Sequence, residues 1–227
     1  MEPNKLQIRV NGDSVTALLY RAPKSAGAKV TIVLGHGAGA NQMSPFLRLF
    51  AAGLAGRGFD TMTFNFLYTE RGRRVPDPKA KLETCYRAVV EAALSQKSLK
   101  SNQLVIGGKS MGGRIASQIA AVDAKSIAGL LFLGYPLHAP GKPEQMRDTH
   151  LSEINRPMLF VQGSRDSLGS AEEIRGVIKK RRLNATLYEV ADGDHSLKVP
   201  KAGKSGVSQE QIYEMAMDEI ARWAKSL

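Results

Sequence analysis

Seven short runs of β-branched or apolar residues recur along the chain: VTALLY from Val15, VTIVLG from Val30, DTMTFNF from Asp60, QLVIGG from Gln103, AGLLFLGY from Ala128, MLFVQG from Met158 and TLYEV from Thr186. Their length and residue types predict strands. Amphipathic patterns between them predict helices near 44–56, 78–97, 111–122, 170–181 and 208–226. In the last, Ile212, Met215, Ile220, Trp223 and Leu227 fall largely along one stripe, and in the helix at 111–122 Ile115, Ile119 and Val122 share a face. Near-continuously apolar strands that alternate with helices imply a mostly parallel sheet covered on both faces, with VTALLY as an antiparallel edge strand. In such sheets binding sites form beyond the carboxyl ends of the strands, so chemistry is sought in the residues that follow each strand.

A length of 227 residues supports one buried core, and a single domain over 1–227 accounts for it. Composition is that of an ordinary globular protein, 43% hydrophobic and 23% charged, without repeats or low-complexity segments. The opening MEPNKLQIRV has no basic stretch followed by an apolar core, and no run approaches the roughly 18 apolar residues of a membrane span. A cytoplasmic location is the expectation. The lone cysteine, Cys85, cannot close an intrachain disulfide, and its neighbours KLETCYRAVV have helical rather than metal-ligand spacing, so it is read as a packing residue. Oligomeric state is not legible.

A net charge of +11 raises the possibility of a polyanionic partner. The basic residues, however, form separate clusters at Arg71, Arg73 and Arg74, at Lys179 to Arg182, and at Lys198, Lys201 and Lys204, without interleaved aromatics on which bases could stack. A solvated basic surface is therefore preferred over a nucleic-acid site.

The residues after the strands converge on one chemistry. Gly108-Lys109-Ser110-Met111-Gly112 fits G-x-S-x-G, a sharp strand-to-helix turn that lifts a serine hydroxyl above a sheet, and the required strand and helix flank it. A serine hydroxyl is a weak nucleophile at neutral pH and needs a base. Of His36, His138, His150 and His195, only His195 follows the last predicted strand, the place of the base in the order serine, acid, histidine. Asp166, after MLFVQG, stands where the acid is expected, while Asp192 and Asp194, close to His195, are read as turn-capping residues. The small-residue loop His36-Gly37-Ala38-Gly39-Ala40 follows VTIVLG and can turn backbone N–H groups toward a substrate. The amides of Met111 and Ala38, with Gly39 as the second choice to Ala38, are the candidate oxyanion donors. Neither G-x-G-x-x-G nor a Gly-Lys-Ser/Thr ending follows that strand, which argues against phosphate binding there.

HGAGA, GKSMGGR, FLYTERGRRVPDP at 66–78, GYPLHAPGKPEQMRDTHL at 134–151, VQGSRD at 161–166 and GDHSL at 193–197 resemble the small dienelactone-hydrolase-like α/β-hydrolases of the group related to the testis-expressed and NSL-complex-subunit proteins. The resemblance covers most of residues 30–197. It implies the α/β-hydrolase fold and puts nucleophile, acid and base on Ser110, Asp166 and His195. Dienelactone hydrolases themselves use a cysteine nucleophile, so lactone opening does not carry over to a chain with serine at that position. Some larger members of the group are scaffold subunits.

The expected function is a serine hydrolase that cleaves a carboxylic ester or thioester through an acyl-enzyme, with no metal or organic cofactor. The alternative is a catalytically idle fold that serves as a protein-interaction module. About twenty residues separate AGLLFLGY from MLFVQG, too few for a lid domain, so an open pocket is expected. Tyr68, Arg71, Arg73 and Arg74, after DTMTFNF, are expected to border that pocket and to favour an anionic small-molecule substrate.

Overall fold

The computed structural model describes residues 2–23, 27–200 and 207–227; Lys201 and Lys204 of the third basic cluster lie outside them. The elements run β1 (Asn4–Val10), β2 (Asp13–Tyr20), β3 (Val30–Gly35), α1 (Pro45–Gly56), β4 (Asp60–Phe64), α2 (Leu67–Glu70), α3 (Lys79–Ser95), β5 (Gln103–Lys109), α4 (Met111–Val122), β6 (Gly129–Leu133), β7 (Met158–Gly163), α5 (Ala171–Arg181), β8 (Ala185–Val190) and α6 (Gln209–Lys225). A 3-10 turn at Thr149–Glu153 interrupts the loop between β6 and β7. The eight strands form one sheet in the order β1-β2-β4-β3-β5-β6-β7-β8. Pairing is antiparallel from β1 to β2 and from β2 to β4, and parallel from β4 through β8.

Strand alternation sorts the core into two layers. Leu104 and Ile106, Leu130 and Phe132, and Met158 and Phe160 face one layer, packed by Tyr86 and Val89 of α3, Ile115 and Ile119 of α4 and Ile174 of α5. The intervening Val105, Leu131, Leu133, Leu159 and Val161 face the other, packed by Leu47, Phe50 and Leu54 of α1 and Met217, Ile220 and Trp223 of α6. Both faces are thus covered, and β3, β5, β6 and β7 are apolar almost throughout, as the sequence pattern anticipates, whereas β4 (DTMTF) is equally buried but carries Asp60, Thr61 and Thr63.

Three expectations need correction. The antiparallel edge is β1, not VTALLY, which lies inside the sheet as part of β2. β1 is half polar, with Leu6, Ile8 and Val10 turned toward the core and Lys5, Gln7 and Arg9 exposed, as suits an edge strand covered on one face. Val122 and Met215 are exposed, at the margins of helical stripes where one residue's 100° rotation carries a side chain off the buried face. Among the described residues no helix is long and apolar enough to cross a membrane.

Candidate active site

β5 ends at Lys109 and α4 begins at Met111, leaving Ser110 alone to make the turn, at φ 52° and ψ −114°. A non-glycine residue in that conformation stores on the order of 1–3 kcal/mol and persists only where its surroundings enforce it. Here they do. Gly108 has φ 145°, and a Cβ on either Gly108 or Gly112 would run into the backbone of Gly35 at the end of β3. Ser110 N donates to Leu133 O at 3.2 Å, tying the turn to the end of β6. The glycines of G-x-S-x-G are therefore a packing requirement of the strand-to-helix junction.

Two further loops arrive at the same sheet edge. Asp166 is buried in the turn after β7, and its Oδ2 lies 2.7 Å from His195 Nδ1. Asp166 Oδ2 also accepts from Gln162 Nε2 at 2.8 Å, and Oδ1 accepts from the Leu168 amide at 2.8 Å. Gln162, itself fully buried, further clamps Tyr135 N and O and donates to Gly169 O. Asp194 accepts from the amides of Ser196 and Lys198 and so shapes the turn that carries His195, while the Asp192 amide is held by Ser164 Oγ. Of the three aspartates, Asp166 is the one hydrogen-bonded to His195. A Cβ placed on Gly134, the residue after Leu133, would lie 3.4 Å from His195 Nδ1 and 3.0 Å from Lys109 Nζ, so the histidine and the residue before Ser110 face the same point. Lys109 Nζ is buried, without a hydrogen-bond partner among the described residues, 5.9 Å from the centre of the Phe46 ring. Burial brings its pKa down to about 8, against the opposing pull of Asp166 and Asp194.

The loop after β3 is held by His36. Phe66 N donates to its Nε2 at 3.2 Å, so the proton sits on Nδ1, which donates to Gly37 O at 2.9 Å. Burial lowers its pKa to about 4, keeping it neutral. A turn closed by Ala40 N to Gly37 O at 3.2 Å then presents Ala38. A Cβ on Gly37 would lie 3.5 Å from Ser110 Cβ, which places this loop directly beside the serine. Met111, at the first position of α4, has an amide with no intrahelical acceptor. Ala38, Met111 and Ser110 line one open cavity of about 410 Å³, and Gly39 stands outside its wall.

The segment after β4 behaves differently from expectation. Tyr68 is fully buried, its ring 5.8 Å from that of His36, and does not line the cavity. Arg71 pairs with Asp13 at 2.7 Å, Arg73 pairs with Asp77 at 2.6 Å, and Arg74 is exposed. It is Asp77 that reaches the cavity wall, together with two arginines that sequence reasoning passed over, Arg114 and Arg147. Arg114 was visible in principle, one helical turn after Ser110; Arg147 lies in a loop without periodic signal. Of the other histidines, His138 lies on the cavity wall with its Nε2 3.1 Å from Glu173, and His150 Nε2 meets Ser117 Oγ at 2.8 Å. Ser117 has no exposed surface and offers no route to a substrate. Among the described residues no three His, Cys, Asp or Glu side chains converge as metal ligands would.

Solved structures share this architecture. Est1E from Butyrivibrio proteoclasticus, with ferulic acid bound, superposes with a TM-score of 0.79 at 17% identity, covering 98% of this chain and 100% of that one. A lidless α/β serine hydrolase from Xanthomonas campestris gives 0.75 at 18% identity over 98% and 95% of the two chains. A dienelactone hydrolase from Anabaena variabilis gives 0.71 at 17% identity over 100% and 97%. The alpha/beta hydrolase domain family matches residues 28–225, which hold β3 to β8 and every helix described above, and the chain belongs to that family.

Proposed function

We propose that the protein is a serine hydrolase that cleaves a carboxylic ester or thioester through an acyl-enzyme. In this reading Ser110 Oγ attacks the carbonyl carbon and passes its proton to His195 Nε2, while Asp166 accepts from Nδ1–H, fixes the tautomer and stabilises the imidazolium. The amides of Met111 and Ala38 receive the oxyanion. His195 then protonates the departing alcohol or thiol, and water, deprotonated by the same histidine, hydrolyses the acyl-serine. The observation that carries the reading is the 2.7 Å contact between His195 Nδ1 and a buried Asp166, at the sheet edge where Ser110 is held in a strained turn. The chemistry calls for no cofactor. Kinship within the family to the testis-expressed and NSL-complex-subunit group is supported by HGAGA, GKSMGGR and GDHSL. The cytoplasmic location belongs to the same reading, supported by a lone buried thiol, Cys85, that calls for no oxidising compartment.

A fluorophosphonate reacts only with a serine already activated by a base, so labelling reads the site without knowledge of the substrate. Wild-type protein is expected to be modified within the peptide Gly108–Arg114, and Ser110→Ala and His195→Ala to lose the label while keeping their melting temperatures. A folded wild-type protein that takes no label at Ser110 across neutral pH would overturn the reading in favour of an interaction module. With Ser110 labelled, p-nitrophenyl esters and acyl-thioesters of increasing length would separate esterase from thioesterase.

A further inference from the structure

The cavity beside Ser110 carries charge that the acyl-transfer steps leave unused. Arg114 N donates to Ser110 O at 3.0 Å, so the two residues stand one turn apart on the same face of α4. Arg147 comes from a different element, the loop after β6, anchored there by its amide to Leu137 O at 2.7 Å. Both line the cavity with Ser110. The carboxylates around them are already engaged: Asp77 by Arg73 at 2.6 Å, Asp148 by Arg181 at 3.0 Å and Glu173 by His138 at 3.1 Å. Lys79, also on the wall, pairs with Glu83 at 3.4 Å. Among the described residues no carboxylate lies within ion-pair distance of either Arg114 or Arg147. The two guanidinium groups repel: burial first, and then the charge of Arg147, lowers the pKa of Arg114. Two like charges brought together beside a nucleophile, with every neighbouring carboxylate engaged elsewhere, are relieved by an anion that enters the cavity.

We propose that Arg114 and Arg147 form an anion subsite for a carboxylate borne by the ester substrate itself. The assignment builds on the serine-hydrolase reading. A guanidinium fork matches a carboxylate in two parallel hydrogen bonds, which suits a short diacid monoester or an ester of a hydroxy acid. Leu82 and Leu168 line the same cavity and supply apolar wall for a short chain between such a carboxylate and the scissile carbonyl.

Two ester pairs test it at low salt: 4-nitrophenyl hydrogen glutarate against 4-nitrophenyl pentanoate, with the charge on the acyl side, and 4-acetoxybenzoate against its methyl ester, with the charge on the leaving group. The acid is expected to exceed its neutral partner in kcat/KM by about tenfold in at least one pair, mainly through KM, and the pair that responds tells which side carries the charge. That ratio is expected to fall about tenfold in Arg114→Gln and in Arg147→Gln, and to shrink with added salt. Because Arg147 is exposed, its variant keeps the test open if Arg114→Gln folds poorly. Calorimetry of Ser110→Ala with glutarate reads the subsite without catalysis: binding that Arg147→Gln removes supports it even where Ser110 takes no phosphonate label. Equal rates for acid and neutral esters with Ser110 labelled, a preference unchanged in both variants, or tighter binding of inorganic phosphate than of glutarate would overturn the carboxylate subsite and leave the hydrolase reading standing.

Discussion

Asp166 Oδ2 stands 2.7 Å from His195 Nδ1, and the other contacts to the carboxylate, from Gln162 Nε2 and the Leu168 amide, are also donors. An acceptor-only group fits that position and an amide does not. Asp166→Asn is expected to turn His195 into the wrong tautomer and slow phosphonate labelling of Ser110 by about 10³–10⁴-fold. Asp194→Asn, which weakens only the turn that carries His195, should cost far less. Labelling that survives Asp166→Asn and collapses in Asp194→Asn would move the acid to Asp194.

Gln162 is the polar residue of an otherwise apolar β7, and its burial is explained by four partners: Tyr135 N, Tyr135 O, Asp166 Oδ2 and Gly169 O. Gln162→Leu would preserve approximate volume and strand character but leave buried backbone groups unpaired. Each such group costs about 1–3 kcal/mol, so urea denaturation should show a loss of several kcal/mol. Labelling of the folded fraction should also slow as Asp166 loses a donor. A Gln162→Leu protein as stable as wild type would show that these hydrogen bonds contribute little.

Glycines separate cleanly by their surroundings. Gly112→Ala would drive a methyl group into the Gly35 backbone, which cannot swing away as a side chain could, and a loss above about 4 kcal/mol or outright failure to fold is expected. Gly176, inside α5, has nothing within 4 Å of its would-be Cβ. Gly176→Ala should stabilise by about 0.5–1 kcal/mol through helix propensity and a less flexible unfolded chain. Denaturation midpoints that moved the same way for both would refute the packing argument.

Most of the parallel strands were readable from sequence because burial on both faces leaves few polar positions in them, and the strand-to-helix turn at Ser110 was readable because Gly108 and Gly112 record a steric demand in residue type. β1 was harder to see, since an edge strand with one wet face reads as a polar tail. The arginines at the cavity mark a different limit. Arg73 follows the correct strand, yet Asp77, four residues on, captures it. Arg147 reaches the cavity through a loop whose path depends on contacts such as Arg147 N to Leu137 O and Asp148 to Arg181, and local pattern carries no trace of them. Likewise His36 was countable as a histidine, but its role in holding the Ala38 turn depends on Phe66 N, 30 residues away.

Lys109 gives the protein a pH-dependent liability next to Ser110. Its Nζ is buried without a hydrogen-bond partner among the described residues, facing Gly134 and the Phe46 ring. Desolvation lowers its pKa from the ordinary 10.5 to about 8, with Asp166 and Asp194 offsetting part of the effect. Because the folded state binds this proton less tightly than the unfolded state, the cost is fully present below pH 8 and fades as pH rises from about 8 toward 10.5. A shift of that size corresponds to a few kcal/mol. Lys109→Met keeps the unbranched stem and removes the charge, so it should raise the melting temperature at pH 7 by several degrees. The advantage over wild type should narrow steadily between pH 8 and pH 10, because wild type sheds its penalty there and the variant has none to shed. Thermal melts of both proteins at pH 7, 8, 9 and 10 check this: a constant difference across the series would mean that the ammonium is solvated, and a variant less stable at pH 7 would mean that its attraction to Asp166 and Asp194 outweighs its burial.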